Sequence, residues 1–209
     1  MGRVAAPPVH VARGIVPEIA LKPARKQPIS ATANFPPPPP CMAATQQITE
    51  ALIQDSIANA VQNVCQTLLR ENAPFVDRLT TAEFEASPLK FQLIGNVGFA
   101  GEANGMVYLC MSDDFAVYAV GTILGMSASE VRFSGHEVVK DAIGEVTNMT
   151  VGSFKNTLCD VGFPCKLTLP TIVTGNNLSV ASLRGTTRHI FRFTCATHVL
   201  VADIQLKND

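Results

Sequence analysis

The amino-acid sequence predicts an α+β domain in which long amphipathic helices pack on one face of an antiparallel sheet. Apolar residues recur at helical spacing in three segments, 49–70, 112–125 and 134–162. Apolar or alternating runs at 89–99 and 105–111 indicate a β-hairpin, because turn-forming residues join them. Further strand patterns follow the last helix, at 165–173, 177–183, 188–195 and 198–206. This order of helix, hairpin, two helices and a series of strands favours a helix-covered antiparallel sheet.

The first 44 residues differ in composition from the rest of the chain. They are rich in Pro and Ala, include the run Pro36–Pro40 and show no sustained hydrophobic period. We therefore expect a disordered, basic leader over residues 1–44 and a folded domain over residues 45–209. Three other interpretations of the leader stay open: a transit peptide, a later start at Met42, or a Pro-rich ligand for an SH3-like domain.

Composition excludes several classes of function. The 209 residues are 47% hydrophobic with a net charge of −1, and residues 45–209 hold 11 basic and 16 acidic side chains. This acidic balance argues against a nucleic-acid surface. No signal peptide and no apolar run long enough to span a membrane is present, and the six cysteines lack zinc-ligand spacing. We expect a cytoplasmic protein with no metal site of its own.

The first helix, 49–70, presents an amphipathic face, and Ser112 provides an N-cap for a second helix that stops near Gly125. The segment 134–162 predicts a longer helix, in which Ser134 and Glu137 form a capping box and Gly162 ends the last turn. Its expected core stripe comprises Val139, Ala142, Ile143, Val146, Met149, Thr150, Ser153 and Thr157. The expected outward face comprises Asp141, Glu145, Asn148, Gly152, Lys155 and Asn156.

Glu145 and Asn148 are spaced i and i+3, so they project side by side from the outward face of this helix. Gly144 and Gly152 flank them and remove side-chain bulk, which would let the backbone of another protein approach. A carboxylate and a carboxamide are thus offered together to a partner. The competing interpretation is an ordinary solvated helix face with small residues.

The run from Asp141 to Gly152, DAIGEVTNMTVG, resembles the Glu-x-x-Asn helix of the CheC/CheX/FliY chemotaxis phosphatases. Downstream, Leu167-Thr-Leu-Pro170-Thr resembles the Leu-Ser-Leu-Pro-Thr segment of that family. The first helix carries no Glu-x-x-Asn, whereas the CheC branch usually has a second copy there. The resemblance therefore favours the CheX-like branch, with one site in each chain.

The resemblance implies a CheC/CheX-like fold and a phosphatase that removes the phosphoryl group from the aspartate of a CheY-like response regulator. Asn148 would orient the attacking water and Glu145 would dock to the lysine of the regulator, while Asp141, Gly144, Gly152 and Lys155 border the contact. The chain would need no cofactor of its own, since the regulator supplies Mg²⁺. CheX-like proteins are homodimers, so a homodimer is expected here. The alternative is a non-catalytic module of the same fold that binds a regulator or a flagellar-switch partner.

Other enzyme motifs are absent from the sequence. It has no P-loop, no G-x-S-x-G, no H-E-x-x-H and no G-x-G-x-x-G at a strand-to-helix turn. The histidines at 136, 189 and 198 are expected to be structural or surface residues. A site on the outward face of a helix suits a macromolecular partner better than a small metabolite, which requires a concave pocket.

Overall fold

The computed structural model describes residues 47–208. The predicted leader, residues 1–44, lies outside this part of the chain, and its assignment stays a prediction. In chain order the elements are α1 (Glu50–Val64), β1 (Phe75–Leu79), α2 (Thr81–Glu85), β2 (Phe91–Gly101), β3 (Gly105–Met111), α3 (Asp113–Leu124), α4 (Ala128–Ser134), α5 (His136–Asp160), β4 (Cys165–Leu167), β5 (Thr171–Leu178), β6 (Thr186–Cys195) and β7 (His198–Lys207). A π-helical turn, Cys65–Leu69, extends α1.

The seven strands form one sheet in which every pair is antiparallel, with the order β1-β6-β7-β3-β2. Both β4 and β5 pair with the other side of β2. Leu167 in β4 pairs with Phe99, and Thr171 in β5 pairs with Asn96, so the loop 168–170 separates the two short edge strands. The predicted hairpin of β2 and β3 and the predicted α+β class are confirmed.

Helices α1, α3 and α5 pack on one face of this sheet and form the main core with it. Ile57 of α1, Phe115 of α3 and Phe154 of α5 are fully buried there, against Leu109 and Phe193 from the strands. Burying a side chain of this size contributes roughly 1.5–3 kcal/mol. The helices are thus held to the sheet by their apolar stripes, as predicted from their spacing.

The opposite face of the sheet is covered as well, which the sequence patterns did not predict. Phe84 of α2 and Val180, from the segment after β5, close a second apolar cluster there. Nη2 of Arg188 donates to Oδ2 of the fully buried Asp203 at 2.6 Å and to the Val180 carbonyl at 2.9 Å. Gln205 donates to the Ala181 carbonyl at 3.1 Å. These buried polar contacts hold the segment after β5 on the sheet.

The predicted capping box of the long helix is wrong. Ser134 is the last residue of α4, where its hydroxyl donates to the Val131 carbonyl at 2.8 Å. The N-cap of α5 is Gly135, and it makes no side-chain capping bond. A separate short helix, which the sequence patterns did not reveal, therefore takes the residue expected to start the long one. The other end is as predicted, since α5 stops two residues before Gly162, which has a φ of 96°.

Two strand predictions also need correction. The expected strand over 177–183 is wrong, because β5 ends at Leu178 and the following residues lie in the segment that covers the second cluster. The expected strand over 165–173 is two strands, β4 and β5, interrupted before Pro170. Proline cannot donate a ladder hydrogen bond, which explains the break. Beyond these, β6 and β7 match their predicted positions closely.

Candidate functional site

Helix α5 lies very close to the sheet where it crosses β2. A Cβ atom added at Gly95 would lie 2.1 Å from Oγ1 of Thr147, so only glycine allows the observed approach. The Thr147 hydroxyl is buried and donates to the Ile143 carbonyl at 2.7 Å. About two turns further on, the rings of Phe154 and Phe99 meet edge to face, with 6.0 Å between their centroids. The helix therefore has a fixed height and rotation on the sheet.

The sequence predicted correctly which side of α5 faces the core, but not which residues lie at the centre of the buried stripe. Ile143 and Thr150 are buried as expected, but Phe154 and Leu158 are also fully buried although the predicted stripe omitted both. The predicted stripe residues Val139, Ala142, Met149, Ser153 and Thr157 are only partly buried. The buried stripe is thus rotated slightly, toward the residues that meet β2.

The predicted outward face does point away from the core. Asp141, Glu145 and Asn156 are exposed, and Asn148 is partly exposed. Among the described residues, neither Glu145 nor Asn148 has a hydrogen-bond partner, so both polar ends are free to engage another molecule. Lys155, also partly exposed, donates to the neighbouring Asn156 at 3.1 Å.

The two glycines beside this pair have different surroundings. An added Cβ at Gly152 would have no atom within 4 Å, so this position opens to solvent as predicted. Gly144 is buried instead, and an added Cβ would lie 3.9 Å from Cγ1 of Ile172 in β5. Gly144 is thus less open to a partner than Gly152, because Ile172 of β5 lies beside it, and its place in a partner contact stays a prediction.

A shallow depression of about 370 Å³ runs along this side of α5. Its lining comprises Glu137, Lys140, Asp141, Gly144, Glu145, Pro170 and Ile172. The loop 168–170 thus borders the same surface as Glu145. Thr168 holds this loop to β2, since its amide donates to the Gly98 carbonyl at 2.9 Å and its hydroxyl accepts from the Gly98 amide at 2.9 Å.

A larger depression of about 580 Å³ lies at the N-terminal end of α5, between α3, α4 and β5. Arg132 on its wall is already paired, with Asp113 at 2.8 Å and with Asp114 at 2.9 Å. The backbone amide of Asp113 donates to Oε1 of Gln92 at 3.1 Å. Because its charged groups pair with one another, this cavity offers no free charge like that of Glu145.

The described residues contain no cluster of three or more His, Cys, Asp or Glu side chains that could hold a metal ion. His198 stacks near Phe115 and Tyr118, 5.8 Å and 5.5 Å between ring centroids. His189 is buried, and burial together with the nearby Arg78 lowers its pKa. Neither histidine lies on the outward face of α5, which agrees with the structural role expected for them.

Comparison with known families shows what the part of the chain around these residues is similar to. The family model described as "Chemotaxis phosphatase CheX" matches residues 93–194, which include all of α5 and the loop 168–170. The chain matches the CheX family. Glu145 and Asn148 of this CheX-like chain stand at the centre of the matched region. Among curated proteins, no sequence matches the chain.

Solved structures share the fold of this CheX-like chain. A CheX from Desulfovibrio desulfuricans has a TM-score of 0.64 at 20% identity, covering 74% of this chain and 99% of its own. A CheC-like superfamily protein from Shewanella sp. PV-4 reaches 0.67 at 20% identity, covering 77% and 100%. The CheX-CheY-BeF3-Mg²⁺ complex from Borrelia burgdorferi gives 0.59 at 21% identity, covering 75% and 98%. At these identities the likeness establishes the fold.

Within residues 47–208, none of the helices combines the length and apolar character that crossing a membrane requires. Beside the candidate site, the sequence patterns do not indicate the exposure of Leu169, which is 87% exposed in the loop 168–170. The sequence identifies the Leu-Thr-Leu-Pro-Thr segment, but a pattern of residues does not show that Leu167 packs partly against the core while Leu169 faces solvent.

Proposed function

We propose that this CheX-like chain is a phosphatase for the aspartyl phosphate of a CheY-like response regulator. The observation that carries the proposal is the pair of Glu145, which is exposed, and Asn148, which is partly exposed. Neither has a hydrogen-bond partner among the described residues, and both lie on a helix that Gly95 and Thr147 fix to the sheet. The match to the CheX family over residues 93–194 and the fold shared with a CheX bound to CheY support it.

The chemistry required is modest, because an aspartyl phosphate is an activated acyl phosphate. The oxygen of a water attacks phosphorus in line, and the bond from phosphorus to the aspartate oxygen breaks. Inorganic phosphate is released, and the aspartate of the regulator is regenerated as a carboxylate. In this proposal the Mg²⁺ that neutralises the phosphoryl oxygens is held by the regulator. The phosphatase mainly has to place a water.

In this proposal Asn148 positions that water. A carboxamide both donates and accepts hydrogen bonds, so it can hold a water in one orientation. Such a group needs no shifted pKa and no metal of its own. Its neighbour Glu145 is assigned to docking, through an ion pair with a lysine of the regulator that fixes the register of the two proteins.

The remaining predicted contacts border this pair. Asp141 and Lys155 add charges along the helix that a charged partner can match, and Gly152 leaves room for its backbone. Gly144 belongs to the same surface through the depression that it lines, although Ile172 covers it on the side of β5. A surface this open suits a folded protein as substrate. A cytoplasmic homodimer, with one site in each protomer, completes the proposal.

The test is phosphate loss from the CheY-like receivers of the source organism, phosphorylated with acetyl phosphate, with and without the purified protein. Asn148→Ala should fold normally, because the position is on the surface, and should lower the turnover number roughly 10²–10³-fold, as for one lost positioning donor. Asn156→Ala is the matched control, since this asparagine is exposed two turns along the same helix.

An unchanged rate in Asn148→Ala would remove the assignment of that residue. If the protein binds the receivers but does not accelerate their loss of phosphate, it is the non-catalytic docking module instead.

A further inference from the structure

The loop between the two edge strands carries a large apolar side chain that is almost entirely exposed to solvent. Leu169 is 87% exposed. Leucine usually lies in the core, because exposing its apolar surface to water is unfavourable. The loop itself is well anchored, by the two hydrogen bonds between Thr168 and Gly98 and by the Pro170 that follows. The side chain is therefore presented in a restricted position.

Strand register places this loop beside the candidate site. The loop joins Leu167, paired with Phe99, to Thr171, paired with Asn96, and so lies alongside residues 97–98 of β2. Helix α5 crosses the same stretch of β2, with Thr147 over Gly95 and Phe154 against Phe99. The helix residues between 147 and 154 therefore run past the loop.

The side of α5 that faces the loop is also known. Gly144 faces Ile172 of β5, and positions four and eight residues later lie on the same side of a helix. Those positions are Asn148 and Gly152. The loop and the proposed catalytic side chain thus border one surface, and Pro170 lines the same depression as Glu145.

From this arrangement we infer that Leu169 is an apolar contact for the response regulator, next to the polar pair that acts on its phosphoryl group. The inference rests on the proposed function. An apolar side chain on an anchored loop needs little further ordering of the backbone on binding, so more of the free energy of its burial contributes to affinity. Leu169 would add to the affinity that Glu145 provides, because an exposed ion pair contributes only modestly in water.

This contact role for Leu169 predicts a specific change in the kinetic constants. A contact made equally in the bound substrate and in the transition state changes KM and leaves kcat unchanged. Leu169→Ala should raise KM for the phosphorylated receiver about 5- to 20-fold, the scale for removing one buried leucine side chain from an interface. Leu169→Asp should raise it further, because a carboxylate would have to leave water there. Neither variant should lower the thermal midpoint, since the side chain has no packing role.

The experiment measures KM and kcat with receivers phosphorylated by acetyl phosphate, and the affinity for the same receivers activated with beryllofluoride and Mg²⁺. Leu183→Ala is the matched control, a partly exposed leucine in the segment held on the opposite face of the sheet. It should leave KM unchanged. Equal KM and affinity in wild type, Leu169→Ala and Leu169→Asp would overturn the inference while the proposed function stands.

Two further outcomes would overturn the inference about Leu169. Loss of a dimer in light scattering, with regulator affinity unaltered, would assign Leu169 to a contact between copies of this chain and overturn the inference. A wild-type protein that neither binds nor dephosphorylates any receiver would overturn the proposed function, and the inference would fall with it.

Discussion

At the scale of single residues, the site consists of side chains that the fold leaves without partners. Glu145 and Asn148 are one turn apart on α5, and their neighbours Ile143, Thr147 and Thr150 are buried. The exposed pair therefore adds nothing to the core, and it can be changed without loss of packing. This separation between stability and activity is what makes the roles of the two residues testable one at a time.

Glu145 should act on affinity more than on turnover. Glu145→Ala, and more strongly Glu145→Lys, should raise KM for a phosphorylated receiver while kcat at saturation changes little, because a docking contact is made equally in the ground state and the transition state. Titration of binding alongside the kinetics checks this. Asp55→Ala, an exposed acid on α1, is the control. A turnover defect with unaltered binding would contradict the docking role.

His189 should make the fold less stable in mild acid. Burial lowers its pKa below the ordinary 6.5, with a further contribution from Arg78. As the pH decreases below about 6.5, His189 therefore binds a proton more readily in the unfolded chain than in the folded one. The free energy of unfolding is thus at its full value above about pH 6.5 and falls as the pH decreases through that value.

Urea unfolding at pH 7.5 and pH 5.5 measures this loss of stability. In His189→Gln the loss should be smaller by up to about 1 kcal/mol, since glutamine does not titrate. An identical pH dependence in the variant and the wild type would show that His189 is not its source.

At the scale of elements, the position of α5 depends on a close approach that one glycine permits. The helix is held over β2 at Gly95, and the loop 168–170 is held to the same strand at Gly98. Strand β2 therefore serves as the common support of the helix and of the loop beside it. The geometry of the site follows from how these two elements meet that strand.

Gly95→Ala should destabilise the domain by about 1–3 kcal/mol, because its Cβ would overlap Thr147 and the helix would have to move. Denaturant unfolding measures the cost. Adding Thr147→Ala should recover part of it by removing the hydroxyl and methyl groups that clash. Gly152→Ala is the control, and it should stabilise the helix by up to about 1 kcal/mol, since no atom lies within 4 Å of the new Cβ.

At the scale of the whole molecule, the sheet has two edges, β1 on one side and the strands β4 and β5 on the other. The apolar strand β7, His198–Lys207, pairs with β6 on one side and β3 on the other, so it is a central strand. Phe75 and Val76 of β1 are partly exposed, at 37% and 47%. Unpaired edges of this kind invite pairing with another chain.

We expect a homodimer in solution, as the resemblance to CheX-like proteins implies, because pairing across a two-fold axis would cover two such edges at once. Light scattering of the 209-residue chain at micromolar concentration should give twice the chain mass of 22.3 kDa. The dimer should bind two receivers. A monomeric mass would sink this prediction, and one receiver per dimer would show that the dimer interface covers one of the sites.

The sequence by itself determined the elements whose signals are local. The helical period of α1, α3 and α5, the hairpin of β2 and β3, and the pair Glu145 and Asn148 could all be predicted, because side-chain spacing and turn residues lie within a few positions of each other. The tertiary structure alone decided the rest. It made β7 central, divided one expected strand at Pro170, gave Ser134 to α4, buried Gly144 under Ile172 and left Leu169 exposed. Each of these depends on partners distant in sequence, and strand order and burial are set by such contacts, which no local pattern contains.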